Sequence, residues 1–220
     1  MRAGRLCGIE YESAQPAAYS AILLHRGGGC NEEFLPLLPY FTPRDLPTRF
    51  VLPNARWRRV TPFGHTRMRA WYDVMHADLK RDEDAAGIHA ACDQILALIA
   101  RERSRGLPSE RIFLGGFSQG GAISLSTALH HPKRLAGVIA LSAYLPLTRL
   151  CATKNVSCAG TPVYIGRGTN DDLVPVGTAR DRHLPANPGV VSRPLRHLSG
   201  GTRHLPGRAR IRQSVGGPDV

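Results

Sequence analysis

The chain has 220 residues, long enough for one domain with a buried core. Apolar residues make up 42%, as in a soluble globular protein, and no run of about 18 apolar residues is present, so no integral membrane association is expected. The formal charge of +12 suggests a nucleic-acid partner, but its distribution argues otherwise. Residues 178–220 carry eight Arg and only Asp181 and Asp219 against them. The rest of the chain has a modest excess, without a cationic stripe interleaved with aromatics. Its densest cluster, Arg56-Trp57-Arg58-Arg59, reads as a solvated loop, and no nucleic acid is expected as a partner. The five cysteines are scattered and odd in number, which points to free thiols in a reducing compartment, the cytoplasm. The first residues lack the apolar core of a signal peptide. No Cys/His spacing suits a metal, and no cofactor is expected.

In chain order, Ala17–Leu24 reads as a buried strand running into a turn, His25-Arg26-Gly27-Gly28-Gly29. Arg49–Leu52 is a second strand. Residues 54–80 read as a long loop containing Trp57, Pro62, Gly64, Trp71 and Tyr72. A helix is expected from about Glu83 to Arg105, since Ile88, Cys92, Ile95, Leu96 and Ile99 recur at helical spacing, and Gly106-Leu107-Pro108 ends it. Arg111–Leu114 is the next strand, followed by a helix that opens at Ser118. Leu135–Ser142 and Pro162–Ile165 are further strands. After Gly177 neither helical nor strand periodicity remains. Strands alternating with helices predict a mostly parallel α/β sheet, with chemistry at the carboxyl ends of its strands. His25–Gly29, Ser118 and Gly168–Asp172 all fall at such ends.

The chemistry centres on Gly116-Phe117-Ser118-Gln119-Gly120. Gly-x-Ser-x-Gly between a strand and a helix is the pattern of a nucleophile elbow. The demand is steric: the serine sits at the tip of a sharp turn, where strand and helix crowd its neighbours. The helix N-terminus then offers free N–H groups to negative charge developing nearby. Such a serine needs a base, a carboxylate to orient the base, and oxyanion donors. Asp171, after the last clear strand, is the candidate carboxylate and is preferred over Asp172. The backbone N–H groups of Gln119 and Gly27 are the candidate donors.

The chain resembles the phospholipase/carboxylesterase family of α/β-hydrolases, which includes acyl-protein thioesterases. Ile9-Glu10-Tyr11-Glu12 is similar to that family's opening strand, and Leu24-His25-Arg26-Gly27-Gly28 to its Leu-His-Gly-x-Gly loop. Val60–Gly64 and Met68–Asp73 resemble the stretch before its long helix. GFSQGGA at 116–122 is similar to its elbow, Leu141–Pro146 to the segment after the next strand, and Gly168-x-x-Asp171-x-Leu173-Val174-Pro175 to its acid loop. The resemblance implies an α/β-hydrolase fold: a mostly parallel sheet flanked by helices, here with an irregular C-terminal segment. It also implies cofactor-free cleavage of a small-molecule ester or thioester through an acyl-enzyme on Ser118, and a place for Trp71 near the acyl pocket, where a plain core aromatic is an equal alternative. A catalytically inactive α/β-hydrolase-like binding protein is the alternative to a working enzyme. Neither oligomeric state nor acyl chain length follows from the sequence.

The chain departs from that pattern in three places. Arg26 stands where the family has Gly, so strain is expected in the oxyanion loop if the position needs positive φ. Arg167 stands where it has His. The family's Tyr-Pro-x-Gly-His-like base loop is missing; His183, His197 and His204 are available instead. A one-base shift in the reading frame permits that motif across positions 198–202, with a histidine in place of Thr202. The expected organisation is therefore an α/β-hydrolase domain over 1–177 and an atypical Arg/Pro/Gly-rich tail over 178–220, open to a frame-shifted reading and expected to be poorly ordered.

Overall fold

The structure is a computed structural model that describes residues 6–13, 16–41, 46–76, 82–147, 160–168, 190–195 and 212–214. The strands are β1 (Gly8–Glu12), β2 (Tyr19–Leu24), β3 (Thr48–Pro53), β4 (Trp57–Val60), β5 (Thr66–Arg69), β6 (Ile112–Phe117), β7 (Gly137–Leu141), β8 (Val163–Gly168), β9 (Val190–Leu195) and β10 (Arg212–Ser214). The helices are α1 (Leu38–Phe41), α2 (Ala85–Ser104) and α3 (Gln119–His130). Eight strands form one sheet in the order β10-β1-β3-β2-β6-β7-β8-β9. From β3 to β9 every neighbour is parallel, while β1 runs antiparallel to β3 and β10.

Strand side chains alternate between the two faces. Ile22, Leu24, Val51, Ile112 and Leu114 join the large core beneath α2 and α3. Ala21, Leu23, Phe50 and Leu52 turn the other way, onto Phe34 and Leu38 from the 3-10 turn over Asn31–Leu37 and α1. Helix α2 begins at Asp84, whose side chain accepts from the Gly87 N–H at 2.8 Å. Its apolar stripe of Ile88, Cys92, Ile95 and Ile99 is buried as the periodicity predicts.

Two regions differ from the sequence reading. Within the loop expected over 54–80, β4 and β5 pair as an antiparallel hairpin, Trp57 opposite Arg69 and Val60 opposite Thr66. Its strands have four residues each, two of them arginine in either strand, so no apolar period announced them. The Arg56–Arg59 cluster is only partly solvated: Arg58 is half-buried and pairs with Asp84 at 3.3 Å. Arg69 instead stacks on Trp57, its guanidinium 5.1 Å from the ring centre. The second difference is that β9 and β10 lie beyond Gly177, where no strand was expected. Both lie at the outer edges of the sheet, where β8 and β1 supply the pairing partners that their own sequences do not announce. Among the described residues no helix is long and apolar enough to cross a membrane. Cys7, Cys30 and Cys92 take part in no disulfide.

Candidate active site

The carboxyl ends of the central strands are level. Leu24 pairs with Gly116, Gly116 with Ala140, and Ala140 with Ile165. The Ser118 N–H donates to the Leu141 carbonyl at 2.9 Å, and the Ser142 N–H to that of Gly166 at 2.7 Å. Strands β2, β6 and β8 therefore end at one edge of the sheet; of the Gly168–Asp172 stretch only Gly168 lies within the described residues.

Ser118 links β6 to α3 with φ 53° and ψ −119°. A non-glycine residue held there stores about 1–3 kcal/mol of backbone strain, so the surroundings must enforce it. They do. A Cβ on Gly116 would run into the backbone of Gly120 and Gly121, and a Cβ on Gly120 into the carbonyls of Leu24 and His25. The glycines of the motif are needed because helix and strands touch backbone to backbone. Ser118 is half-buried, and its hydroxyl does not cap the helix it opens. Its carbonyl accepts from the Ala122 N–H at 3.0 Å. The Gln119 N–H, one residue into α3, is among those a helix leaves without an internal partner.

The Gln119 side chain faces inward. Its Oε1 accepts from the Trp71 N–H at 3.2 Å, and its Nε2 donates to the Tyr72 carbonyl at 3.0 Å. The same amide lies beside Gly27, where a Cβ would come within 3.0 Å of Oε1. Arg26–Gly29 is a tight turn closed by the Gly29 N–H on the Arg26 carbonyl at 3.0 Å, with Gly28 at φ 74° as a type II turn requires. Gly28 donates to the Arg69 carbonyl at 2.8 Å, tying the loop to the β4–β5 hairpin. Among the described residues no partner holds the Gly27 N–H. The other two glycine amides of the turn, those of Gly28 and Gly29, are both spent.

The strain anticipated at Arg26 does not arise. Positive φ falls on Gly28 and not on Arg26, whose exposed side chain reaches Glu33 at 3.4 Å. Trp71 is a core aromatic, 2% exposed, with Nε1 donating to the His25 carbonyl at 2.8 Å. Beside it the hydroxyls of Tyr72 and Tyr144 bond at 2.8 Å.

His25 is the residue the sequence reading passed over. It is 1% exposed, and both ring nitrogens are used. The Ala55 N–H donates to Nε2 at 3.0 Å, so the ring proton lies on Nδ1, which donates to the Arg26 carbonyl at 2.7 Å. Burial holds its pKa below the ordinary histidine value, with Arg69 and Arg26 adding to the effect against Glu33 and the Arg26 carbonyl. The signal was its place in the family-like loop, but apart from Arg26 its partners, Ala55 and Trp71, are remote in sequence. His130 and His131 are no closer to a catalytic role, because the twelve residues of α3 put them about 18 Å from the elbow. His89 sits with them, its ring 6.1 Å from that of His130. Asp171, His183, His197 and His204 lie outside the described residues, and Arg167 is placed only as part of the backbone of β8.

A pH dependence of stability follows. The pKa of His131 is lowered as well, first by burial and then by Arg103 and Lys133, with Glu110 opposing. Below about pH 6.5 the unfolded chain takes up protons that the folded one refuses, so stability present above that pH falls on acidification, by at most about 1.4 kcal/mol per pH unit per histidine. Urea unfolding between pH 7.5 and 5.5 is expected to show this slope, and His131→Gln to reduce it. An unchanged slope in the variant would exclude His131 as a source.

A parallel sheet with an antiparallel first strand, a strained serine between strand and helix, and a glycine turn facing it define an α/β-hydrolase. A sequence model of the phospholipase/carboxylesterase family matches residues 10–183. The acyl-protein thioesterase 1 of Saccharomyces cerevisiae is 33% identical over 169 residues, covering 74% of each chain. The crystal structure of Arabidopsis thaliana SOBER1 superposes with a TM-score of 0.72 at 26% identity, covering 85% of this chain and 93% of that one. Zea mays acyl-protein thioesterase 2 follows with a TM-score of 0.69 at 26% identity over 92% of this chain and 93% of its own. This chain belongs to the phospholipase/carboxylesterase family.

Proposed function

We propose that this protein hydrolyses carboxylic esters or thioesters of small molecules through an acyl-enzyme on Ser118, with the N–H groups of Gly27 and Gln119 as oxyanion donors. The carrying observation is the conformation of Ser118, strained at φ 53° at the head of α3 and opposite a glycine turn with one uncommitted amide. The Ser118 Oγ attacks the carbonyl carbon, and the alcohol or thiol leaves with the proton. Water then attacks the ester so formed and releases the acid and the free serine. Asp171 is the carboxylate of this reading, since it comes three residues after β8 in sequence, and β8 ends on the same sheet edge as the elbow strand, two strands away. His183, His197 and His204 are the candidates for the base, and an out-of-frame tail, as proposed below, would leave the chain without the family's own base. The acyl-protein thioesterases among its relatives favour a thioester as one substrate class. Cysteines without a disulfide favour the cytoplasm.

A fluorophosphonate probe tests the nucleophile. It should modify the peptide that contains Ser118 and no other; an adduct elsewhere, or none, would overturn the assignment.

Residues 178–220 are proposed to be an out-of-frame reading of the family's last strand and helix. The match to the family ending at residue 183 supports this, with the departure a few residues later than Gly177. The encoding DNA decides it: an uninterrupted frame in close relatives that also reads Arg/Pro/Gly-rich would refute the frame change.

A further inference from the structure

We propose that His25 is a positioning residue that sets the direction of the Gly27 N–H, and so aims one of the two oxyanion donors; this rests on the reading of Ser118 and Gly27 given above. The Arg26 carbonyl and the Gly27 N–H belong to one planar trans peptide unit, so they point in opposite directions. Whatever grips the carbonyl aims the amide. Two donors grip it: His25 Nδ1 at 2.7 Å and the Gly29 N–H at 3.0 Å. The loop cannot hold this orientation unaided, because Gly27-Gly28-Gly29 is the least restrained backbone a chain can have.

The ring that does the gripping is itself fixed. Ala55 occupies Nε2 with a 3.0 Å bond and thereby forces the proton onto Nδ1. Trp71 lies against the ring with centroids 5.2 Å apart and bonds the His25 carbonyl through Nε1. Burial keeps the imidazole neutral, so Nε2 remains an acceptor and the tautomer does not change near neutral pH. With both nitrogens engaged, His25 has no lone pair with which to act as the base. Its contribution is to the geometry of the oxyanion site, where donors pre-aimed at the transition-state charge are worth far more than donors that must turn.

Two substitutions separate this role from simple packing. The side-chain amide of asparagine reaches the position of Nδ1 and can keep the bond to Arg26, whereas that of glutamine reaches Nε2 and keeps only the bond to Ala55. His25→Gln is expected to lower kcat for p-nitrophenyl butyrate about tenfold or more, with KM changed less than about threefold, as for loss of a group that acts in the transition state. His25→Asn should stay within about threefold of the parent, and fluorophosphonate labelling of Ser118 should follow the same order. Equal losses in both variants that track their thermal midpoints, or an effect on KM alone, would make His25 a packing residue only and overturn the proposal.

A crystal structure of His25→Gln reads the peptide directly, whether or not the chain turns over. A rotated 26–27 peptide is expected, and an unchanged one would overturn the proposal. Turnover undiminished in Ser118→Ala would instead bring down the hydrolase mechanism, while the orientation of that peptide would still decide the role of His25.

Discussion

Replacing Ser118 with alanine is expected to lower the hydrolysis of p-nitrophenyl butyrate by at least about a thousandfold, since removal of a hydrolase nucleophile leaves only what the oxyanion donors and binding supply. The fold should survive. Ser118 contributes to stability through its backbone, whose N–H bonds Leu141 and whose carbonyl accepts from Ala122, and its hydroxyl caps nothing. Alanine at φ 53° is no more strained than serine, because both carry one Cβ. The check is kinetic and thermal together. Activity should vanish while the urea midpoint stays within about 0.5 kcal/mol of the parent. A variant that retained its rate would place the chemistry elsewhere.

The second large effect lies two residues further on. Gly120→Ala is expected to cost about 4 kcal/mol or more, or to prevent soluble folding, because the added Cβ meets only backbone. Its nearest atoms would be the Leu24 carbonyl and the His25 oxygen, at the end of the central strand β2. No rotamer change relieves that overlap; strand and helix would have to separate, and the glycine loop proposed to hold the oxyanion begins at that strand end. Gly137→Ala is the matched control. Its Cβ would meet the Phe113 ring at 3.3 Å, and a ring edge can move aside. Soluble yield and urea midpoints compare the two. Equal, small losses would mean that α3 does not pack on β2 as described.

Much of the fold was legible because its signals are local. The stripe along α2, the apolar runs of β2, β3, β6, β7 and β8, and the Gly-x-Ser-x-Gly turn each encode their structure within a few residues. The β4–β5 hairpin was not legible. Its strands are short and arginine-rich, and they hold together by pairing with each other and by the bond from Gly28 to Arg69. The edge strands β9 and β10 were missed for a related reason: their order comes from the open edges of β8 and β1 and not from their own periodicity.

The candidate site divides in the same way. Gly27, Ser118 and Gln119 could be named from the sequence because an elbow and a glycine loop have local steric requirements, and the structure brings the loop and the elbow together through the Gln119 amide. The strain expected from Arg26 was misplaced, since a type II turn puts its positive φ two residues later, at Gly28. Nothing near His25 in sequence announces its bond to Ala55, thirty residues on.

The sequence by itself determined the class of the protein, the order of its main strands and helices, and the serine at their turn, because propensity, periodicity and steric need act over a few neighbouring residues. Tertiary structure alone decided that, among the described residues, the Gly27 amide is left uncommitted while that of Gly28 is spent on Arg69. It alone decided that a neutral His25 grips the carbonyl of the peptide that carries that amide. Both facts depend on hydrogen bonds between segments that only packing brings together.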